Sequence, residues 1–209
     1  MFCTAQATAQ TSSITFDYTF GPGEITKQVQ IMPPPPIAAF EPDTMGCPPL
    51  DITFRNNSNY ADTYIWDFDD GSTSPDENPV HTYTNPGTYN VMLAITTAND
   101  CYDTIYHTVL VWPNPVANFT TTPVCVGDPT QFNDLSIANA DSLVSWFWNF
   151  GDGVGTSTLE DPTYTYATFG TYNVTLTVTN SNGCTDSITL PVVIYPAPIA
   201  EFTYDTACA

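Results

Sequence analysis

Three short motifs occur twice in this chain, in the same order and at similar spacing. The first copy reads Trp-Asp-Phe-Asp-Asp-Gly, Pro-Val-His-Thr-Tyr and Pro-Gly-Thr-Tyr-Asn-Val; the second reads Trp-Asn-Phe-Gly-Asp-Gly, Pro-Thr-Tyr-Thr-Tyr and Phe-Gly-Thr-Tyr-Asn-Val. The copies occupy residues 66–71, 79–83 and 86–91, and then residues 148–153, 162–166 and 169–174. A unit repeated together with its turns and apolar positions is built to be stacked or joined in series. The chain is therefore a tandem array.

The sequence around these motifs alternates between apolar and polar residues, and no stretch keeps a helical period. Each repeat is therefore predicted to be all-β, with one buried and one wet sheet face. Trp66 and Trp148 precede tight turns and are predicted to pack at the centre of each core. The predicted inward residues are Tyr89, Val91, Leu93, Ile95, Tyr172, Val174, Leu176 and Val178. The predicted outward residues are Asn90, Met92, Ala94, Asn173, Thr175 and Thr177.

The three motifs resemble the signature of the polycystic-kidney-disease (PKD) domain, an immunoglobulin-like β-sandwich. That signature is a Trp-Asp-Phe-Gly-Asp-Gly turn, then a His-Thr-Tyr element, then Pro-Gly-x-Tyr and an alternating strand. Each repeat departs once at the turn, because Asp69 stands where the family usually has Gly and Asn149 where it usually has the first Asp. The resemblance implies an all-β chain of tandem immunoglobulin-like (PKD-type) β-sandwiches in an elongated rod, and neither departure is expected to change the fold.

Short proline-rich linkers divide the array, and proline favours extended, semi-rigid geometry. They are residues 33–36, 112–115 and 195–198. We expect a partial or degenerate β module with its linker at 1–36, PKD-like sandwiches at 37–115 and 116–198, and the start of a further module at 199–209. No signal peptide is recognisable at residues 1–6. A piece of a longer repeat protein is the favoured interpretation, and a subunit that completes its end modules with a neighbour's strands is the alternative.

The cysteines follow the repeat. One repeat position, near the start of the sandwich, holds Cys47 and Cys125, and a second, just before the last strand, holds Cys101 and Cys184. From these shared positions we expect one disulfide within each repeat. A structural zinc site is disfavoured, because no two cysteines have the close spacing that such sites use. Each bridge would stabilise its module by about 3–4 kcal/mol.

Two cysteines remain, Cys3 and Cys208. Cys208 lies six residues after Phe202, as Cys125 lies six residues after Phe119, so it belongs to the beginning of a further module and is expected to pair within that module. Cys3 is expected to pair with a partner outside this sequence or with Cys208 of a neighbouring chain. Disulfides of this kind imply an oxidising compartment, and we expect the protein to be extracellular or on a cell surface.

The charge balance excludes several partners. The chain has 22 acidic residues against one lysine and one arginine, and a formal net charge of −20. Nucleic acid is excluded, because phosphate binding depends on basic side chains. Anionic membranes are disfavoured for the same reason, and no run is long and apolar enough to insert in a bilayer. An acidic, solvated coat that keeps arrays apart is the simplest function of the charge.

Calcium is the one cofactor that the sequence suggests. Asp67, Asp69 and Asp70 lie within four residues at the signature turn, and the second repeat keeps Asp152. Clustered oxygen ligands suit calcium, but the spacing does not match an EF-hand. The competing interpretation is that these carboxylates accept hydrogen bonds from the turn backbone.

Five triplets fit Asp-Ser/Thr followed by an apolar residue, which resembles the O-glycosylation signal of Bacteroidota surface proteins. The modified residues would be Thr44, Thr104, Ser142, Ser187 and Thr206. A threonine-rich β protein also generates such triplets by chance.

Catalysis finds no support in the sequence. His81 becomes Tyr164 in the second repeat, which indicates a packing position rather than a general base. We therefore expect that the chain is not an enzyme. The favoured function is that of a structural rod segment in a secreted filament, stalk or adhesin, whose partners are neighbouring repeats or subunits of the same protein. One alternative is a glycan- or protein-binding accessory module of a secreted enzyme, with Phe147 or Trp112 as exposed contacts. Another is a self-assembling filament subunit that docks through its termini.

Overall fold

A computed structural model describes residues 2–3, 13–14, 29–30, 34–41, 44–139 and 142–201. The described residues form strands and turns without a helix, and the chain divides into two compact units. The first unit comprises Met1–Met45 and Pro49–Val111, and the second comprises Gly46–Pro48 and Trp112–Ala209. The all-β prediction is confirmed.

The strands of the first unit form one large and two small sheets. In chain order they are β1 (Phe2–Cys3), β2 (Ser13–Ile14), β3 (Val29–Gln30), β4 (Thr44–Gly46), β5 (Leu50–Thr53), β6 (Thr63–Asp67), β7 (Thr73–Ser74), β8 (Val80–Tyr83), β9 (Gly87–Thr96) and β10 (Cys101–Val111). The large sheet has the order β1-β10-β9-β6-β7, with β4 also paired to β10. The small sheets are the pairs β5-β8 and β2-β3.

The second unit repeats this plan. Its strands are β11 (Phe119–Thr121), β12 (Val124–Cys125), β13 (Pro129–Asp134), β14 (Leu143–Asn149), β15 (Thr156–Ser157), β16 (Thr163–Thr165), β17 (Gly170–Asn180) and β18 (Thr185–Tyr195). One sheet has the order β12-β18-β17-β14-β15 and the other the order β11-β13-β16. All these pairs are antiparallel except β12 with β18, which are parallel.

Alternation along the long hairpins produces the two cores. The predicted inward aliphatic residues are fully buried, namely Val91, Leu93, Ile95, Val174, Leu176 and Val178. The inward tyrosines Tyr89 and Tyr172 are only partly buried and pack against the edge of each core. Burial of one face in each hairpin fixes its register, because a slip of one residue would expose every apolar side chain.

Both predicted central tryptophans are fully buried, and their N–H groups are satisfied. The indole N–H of Trp66 donates to the carbonyl of Asp76, and that of Trp148 donates to the carbonyl of Leu159, each at 2.9 Å. A buried indole N–H without an acceptor would cost about 1–3 kcal/mol. These bonds fix the loop that follows each signature turn and so position the turn itself.

Candidate functional site

The signature turn of the first repeat lies between β6 and β7 and is held by its own carboxylates. Asp67 Oδ1 accepts the backbone N–H of Asp69 at 3.0 Å, and Asp70 Oδ1 accepts that of Ser72 at 3.0 Å. Asp69 Oδ2 accepts the N–H of Asn90 on β9 at 2.8 Å. Asp69 also takes a left-handed φ of 61°, which aspartate tolerates better than most residues. The departure from glycine therefore gains a bond to the neighbouring strand.

The turn of the second repeat keeps the same backbone with different side chains. Asn149 Oδ1 accepts the N–H of Gly151 at 3.0 Å, as Asp67 does for its own turn. Asp152 Oδ1 accepts the N–H groups that follow it, those of Val154 at 3.0 Å and Gly155 at 2.7 Å. An amide oxygen replaces a carboxylate here without losing the turn bond, which explains why Asn149 is tolerated.

The position that changes from histidine to tyrosine contacts the turn carboxylate in both repeats. His81 Nε2 lies 2.8 Å from Asp70 Oδ2, and the Tyr164 hydroxyl donates to Asp152 Oδ2. Each ring also stacks on the phenylalanine of its turn, with ring centroids 4.2 Å and 4.1 Å apart. The bond from Tyr164 is the main cause that lowers the pKa of Asp152, and it raises the pKa of Tyr164 to about 12. At Asp70, burial raises the pKa of the carboxyl group, but hydrogen bonds from Ser72 and His81 outweigh burial, and the pKa is lowered.

The predicted calcium ligands are engaged in these turns. Asp67, Asp69 and Asp70 each accept at least one hydrogen bond, and Asp152 belongs to the separate turn of the second repeat. Among the described residues, no three His, Cys, Asp or Glu side chains come together as a set that could hold a metal ion. These contacts fit the interpretation that the carboxylates accept hydrogen bonds from the turn backbone. Calcium binding stays a prediction, and the described residues offer no cluster of ligands for it.

The second compact unit contains a disulfide between Cys47 and Cys184, with Cα atoms 5.5 Å apart. Cys47 comes from the first repeat in sequence, but Gly46–Pro48 is part of the second unit. Cys125 has a free thiol. Cys101 is also disulfide-bonded. The predicted pairs within each repeat, Cys47 with Cys101 and Cys125 with Cys184, are therefore wrong.

Strand geometry explains why the two cysteines of the second repeat cannot meet. Cys125 ends β12 and lies opposite Tyr195, the last residue of β18. Cys184 immediately precedes β18, so it lies at the other end of the same strand. Eleven residues of strand at about 3.3 Å each span about 36 Å. A disulfide requires Cα atoms within about 7 Å.

The first repeat has the same arrangement. The segment 46–48 is held in the second unit, where its first carbonyl accepts the N–H of Trp112 at 2.8 Å and its last accepts Asn114 Nδ2 at 3.1 Å. Trp112 directly follows β10, whereas Cys101 begins it. Cys47 and Cys101 are therefore at opposite ends of β10, and Cys47 lies where the chain leaves the first repeat.

Asn180 organises the other half of the disulfide and was not anticipated from the sequence. It is fully buried. Its Oδ1 accepts the N–H groups of Asn182 at 3.1 Å and Cys184 at 3.0 Å, and its Nδ2 donates to the carbonyl of Pro113 at 3.0 Å. One side chain thus ties the turn that carries Cys184 to the linker that begins the second unit. Thr97 stands at the equivalent position of the first repeat and accepts the N–H of Cys101 at 3.2 Å. Threonine has no amide donor, so the repeat gave no signal for the bond to the linker.

Two of the glycosylation triplets have a structural function. Asp103 Oδ2 accepts the N–H of Ala38, and Asp186 Oδ2 accepts the N–H of Ala117, both at 2.9 Å. Each aspartate thereby anchors the start of its repeat to the last strand. Thr206 lies outside the described residues. The other four predicted positions are exposed or partly exposed, namely Thr44, Thr104, Ser142 and Ser187.

Exposed aromatic side chains lie on the outer sheet faces. Phe147 on β14 is 49% exposed, as a contact residue would be, whereas Trp112 is partly buried. The sequence reasoning missed Tyr102 and Tyr106, which are 46% and 53% exposed on β10, and Ile65, which is exposed on β6. The alternation of β10 would have identified both tyrosines, because they share its outward face with Thr104.

The family model of the PKD domain matches this chain twice, at residues 33–111 and 112–194. The chain therefore belongs to the PKD domain family, as its motifs predicted. No helix within the described part of the chain has the length and apolar character to cross a membrane.

Among curated proteins, the chain is 27% identical over 164 residues to the pre-pro-metalloprotease PrtV of Vibrio cholerae, covering 75% of this chain and 17% of the relative. It is 41% identical over 70 residues to a microbial collagenase of Vibrio alginolyticus, covering 33% of this chain and 8% of the relative. The chain thus spans only a small part of these relatives. Among solved structures, the PKD1 domain of Vibrio anguillarum Epp is 31% identical, with a TM-score of 0.38 over 40% of this chain and 96% of that domain. The PKD1 domain of Vibrio cholerae PrtV is 33% identical, with a TM-score of 0.37 over 39% of this chain and 98% of that domain.

Proposed function

We propose that this chain is a non-catalytic, extracellular spacer whose PKD repeats are reinforced against force by disulfides that cross from one repeat into the next. The observation that carries the proposal is the bond between Cys47 and Cys184, because its two cysteines come from different family-model matches. Such bonds form and persist in oxidising compartments, which supports a location outside the cell. The 22 acidic residues give the spacer a solvated coat that keeps neighbouring arrays apart.

The disulfide gives the chain a short path for mechanical load. When the chain is pulled from its two ends, tension passes from Cys47 directly to Cys184 and bypasses the 137-residue separation between them. The bypassed stretch contains the long hairpins β9-β10 and β17-β18 and both buried tryptophans. Unfolding these strands by force then yields no extension unless a covalent bond breaks.

Single-molecule stretching from the chain ends tests this function. An extended residue spans about 3.3–3.6 Å. Complete reduction should therefore lengthen the fully stretched chain by at least about 450–490 Å, because the 137-residue separation is released. A Cys125→Ser variant should stretch like the native chain under both conditions, because that thiol is free. Equal extension before and after reduction would refute the proposal.

An accessory module of a secreted enzyme is the second candidate. Its support is that curated relatives are named as a metalloprotease and collagenases, and that Tyr102, Tyr106 and Phe147 are exposed. Exposed aromatic rings suit stacking on sugars or insertion into a protein partner. Sedimentation with insoluble collagen and with insoluble polysaccharides tests it. Retention that is lost in Tyr102→Ala/Tyr106→Ala or in Phe147→Ala, with Tyr60→Ala as the exposed control, would support this role; no retention of the native chain would reject it.

A further inference from the structure

The free thiol of Cys125 occupies the repeat position at which the first repeat makes its disulfide. Cys47 lies seven residues before Phe54, and Cys125 lies seven residues before Phe132, in the same register of the repeat. Cys47 forms a disulfide with Cys184, whereas Cys125 is partly buried and has a free thiol.

The local backbone is also equivalent. The carbonyl of Gly46 accepts the N–H of Trp112, the first residue beyond β10, and Cys47 follows directly. In the second repeat, Cys125 pairs in parallel register with Tyr195, and the N–H of Val126 donates to the Tyr195 carbonyl at 2.8 Å. Each of these cysteines therefore lies where the chain leaves the last strand of its repeat.

The second repeat position supplies the other sulfur. Cys101 and Cys184 each lie ten residues after a buried valine, where the last strand of the repeat begins, and both are disulfide-bonded. Cys184 does not bond Cys125 of its own repeat; it bonds Cys47 of the repeat before it. In the one bond that the structure describes, the cysteine near the exit of one repeat bonds the cysteine that precedes the last strand of the next.

We propose that Cys125 forms the next bond of this series, with the cysteine that a further PKD repeat carries at the position of Cys184. The sequence after Tyr195 supports such a repeat, since residues 196–198 keep the proline pattern of the linker and Phe202 to Cys208 keeps the spacing of the repeat start. The two thiols lose two protons and two electrons to a disulfide oxidant, such as a protein disulfide or oxidised glutathione, which is reduced to two thiols. This inference extends the proposed function, but it concerns one bond that can be measured without any force.

One feature of the linker differs. Asn114 Nδ2 donates to the carbonyl of Pro48 and so helps to hold the 46–48 segment, whereas Ala197 stands at the equivalent position. The proposed bond at Cys125 therefore lacks this hydrogen bond. Since a single side-chain hydrogen bond contributes little to stability, its loss weakens docking of the segment but does not prevent the disulfide.

Thiol mapping of the native protein tests the proposal. Free thiols are alkylated before unfolding, and the unreduced protein is cleaved on the N-terminal side of aspartate, which places Cys125 in the fragment 103–127. We expect this fragment to be joined to a fragment that carries a cysteine of a further repeat. An unchanged chain mass after reduction assigns the further repeat to the same polypeptide, and a decreased mass assigns it to a second chain. Recovery of 103–127 with Cys125 alkylated would overturn the proposal.

A designed duplication provides a second test on this chain itself. A copy of residues 113–195 is placed directly after Tyr195, which supplies the native linker, including Asn114, and a second copy of Cys184. We expect the original Cys125 to bond the added copy of Cys184 and to resist alkylation. Substituting serine for cysteine in the added copy at position 184 should restore alkylation of the original Cys125. If the original Cys125 is alkylated to the same extent with and without the added cysteine, the proposal is wrong.

Discussion

Removing the disulfide with a paired Cys47→Ser/Cys184→Ser variant should destabilise the second unit far more than the first. In the chain-entropy model, the stabilisation grows with the logarithm of the loop length, and a separation of 137 residues corresponds to about 5 kcal/mol. If the first unit stays folded while the second unfolds, the pairing of β4 with β10, which ends at Val111, keeps the loop closed up to residue 112. The effective loop then shortens to residues 112–184, and the stabilisation decreases to about 4.4 kcal/mol.

Urea unfolding followed by tryptophan fluorescence measures this loss, because three of the four tryptophans lie in the second unit. Hydrogen exchange of β9 and β17 separates the two units, since each strand is central to the large sheet of its own unit. We expect a loss of about 4–5 kcal/mol at β17 and less than about 1 kcal/mol at β9. The Cys125→Ser variant is the matched control and should behave like the native chain. An effect below about 1 kcal/mol at β17, or an equal loss in both strands, would refute the reasoning.

Three further variants test the second unit. Tyr164→Phe keeps the ring stacking but removes the hydrogen-bond donor to Asp152. In the folded protein the pKa of Asp152 lies below its ordinary value of 3.8, so the bond stabilises the fold above that pH. Its contribution is lost as the pH falls through the lowered pKa. Urea unfolding should show a loss of at most about 1 kcal/mol at pH 7, because the carboxylate is solvated, and no difference near pH 2; a pH-independent difference would contradict the assignment. Asn180→Ala should cost about 2–4 kcal/mol by the same assay, since it leaves the partly buried carbonyl of Pro113 and two N–H groups without a partner, whereas a loss below about 0.5 kcal/mol would show that water replaces the amide. Gly151→Ala should cost more than Gly153→Ala in thermal unfolding, because both have positive φ but only at Gly151 would the new Cβ lie 2.4 Å from a β17 carbonyl; equal melting temperatures would be inconsistent with this packing.

The fold could be predicted because its main determinants are local. Val91, Leu93 and Ile95 alternate with polar residues, and this period of two is sufficient to assign the buried face of β9. The signature turn was equally accessible, since aspartate and asparagine form short bonds to the backbone two residues later. Such features depend on residues that are close in sequence, and they can therefore be predicted from the sequence alone.

The cysteine pairing was not predicted correctly because it depends on which end of a strand each residue occupies. Repeat position grouped Cys47 with Cys125 and Cys101 with Cys184, but it did not give the distance between the groups. That distance is the length of the last strand, because β12 pairs in parallel with the end of β18. Parallel pairing of a two-residue strand has no sequence pattern of its own. The role of Asn180 was also inaccessible, since its partners lie on a linker that is 67 residues away in sequence.

Disulfide mapping of the oxidised chain after cleavage at aspartate decides whether one repeat is bonded to the next. This cleavage places the four cysteines of the two repeats in separate fragments, 43–50, 100–102, 103–127 and 161–185. We predict that fragment 43–50 is joined to fragment 161–185. If 43–50 is instead joined to 100–102, and 103–127 to 161–185, the disulfides lie inside each repeat and the proposed bonding between repeats is wrong.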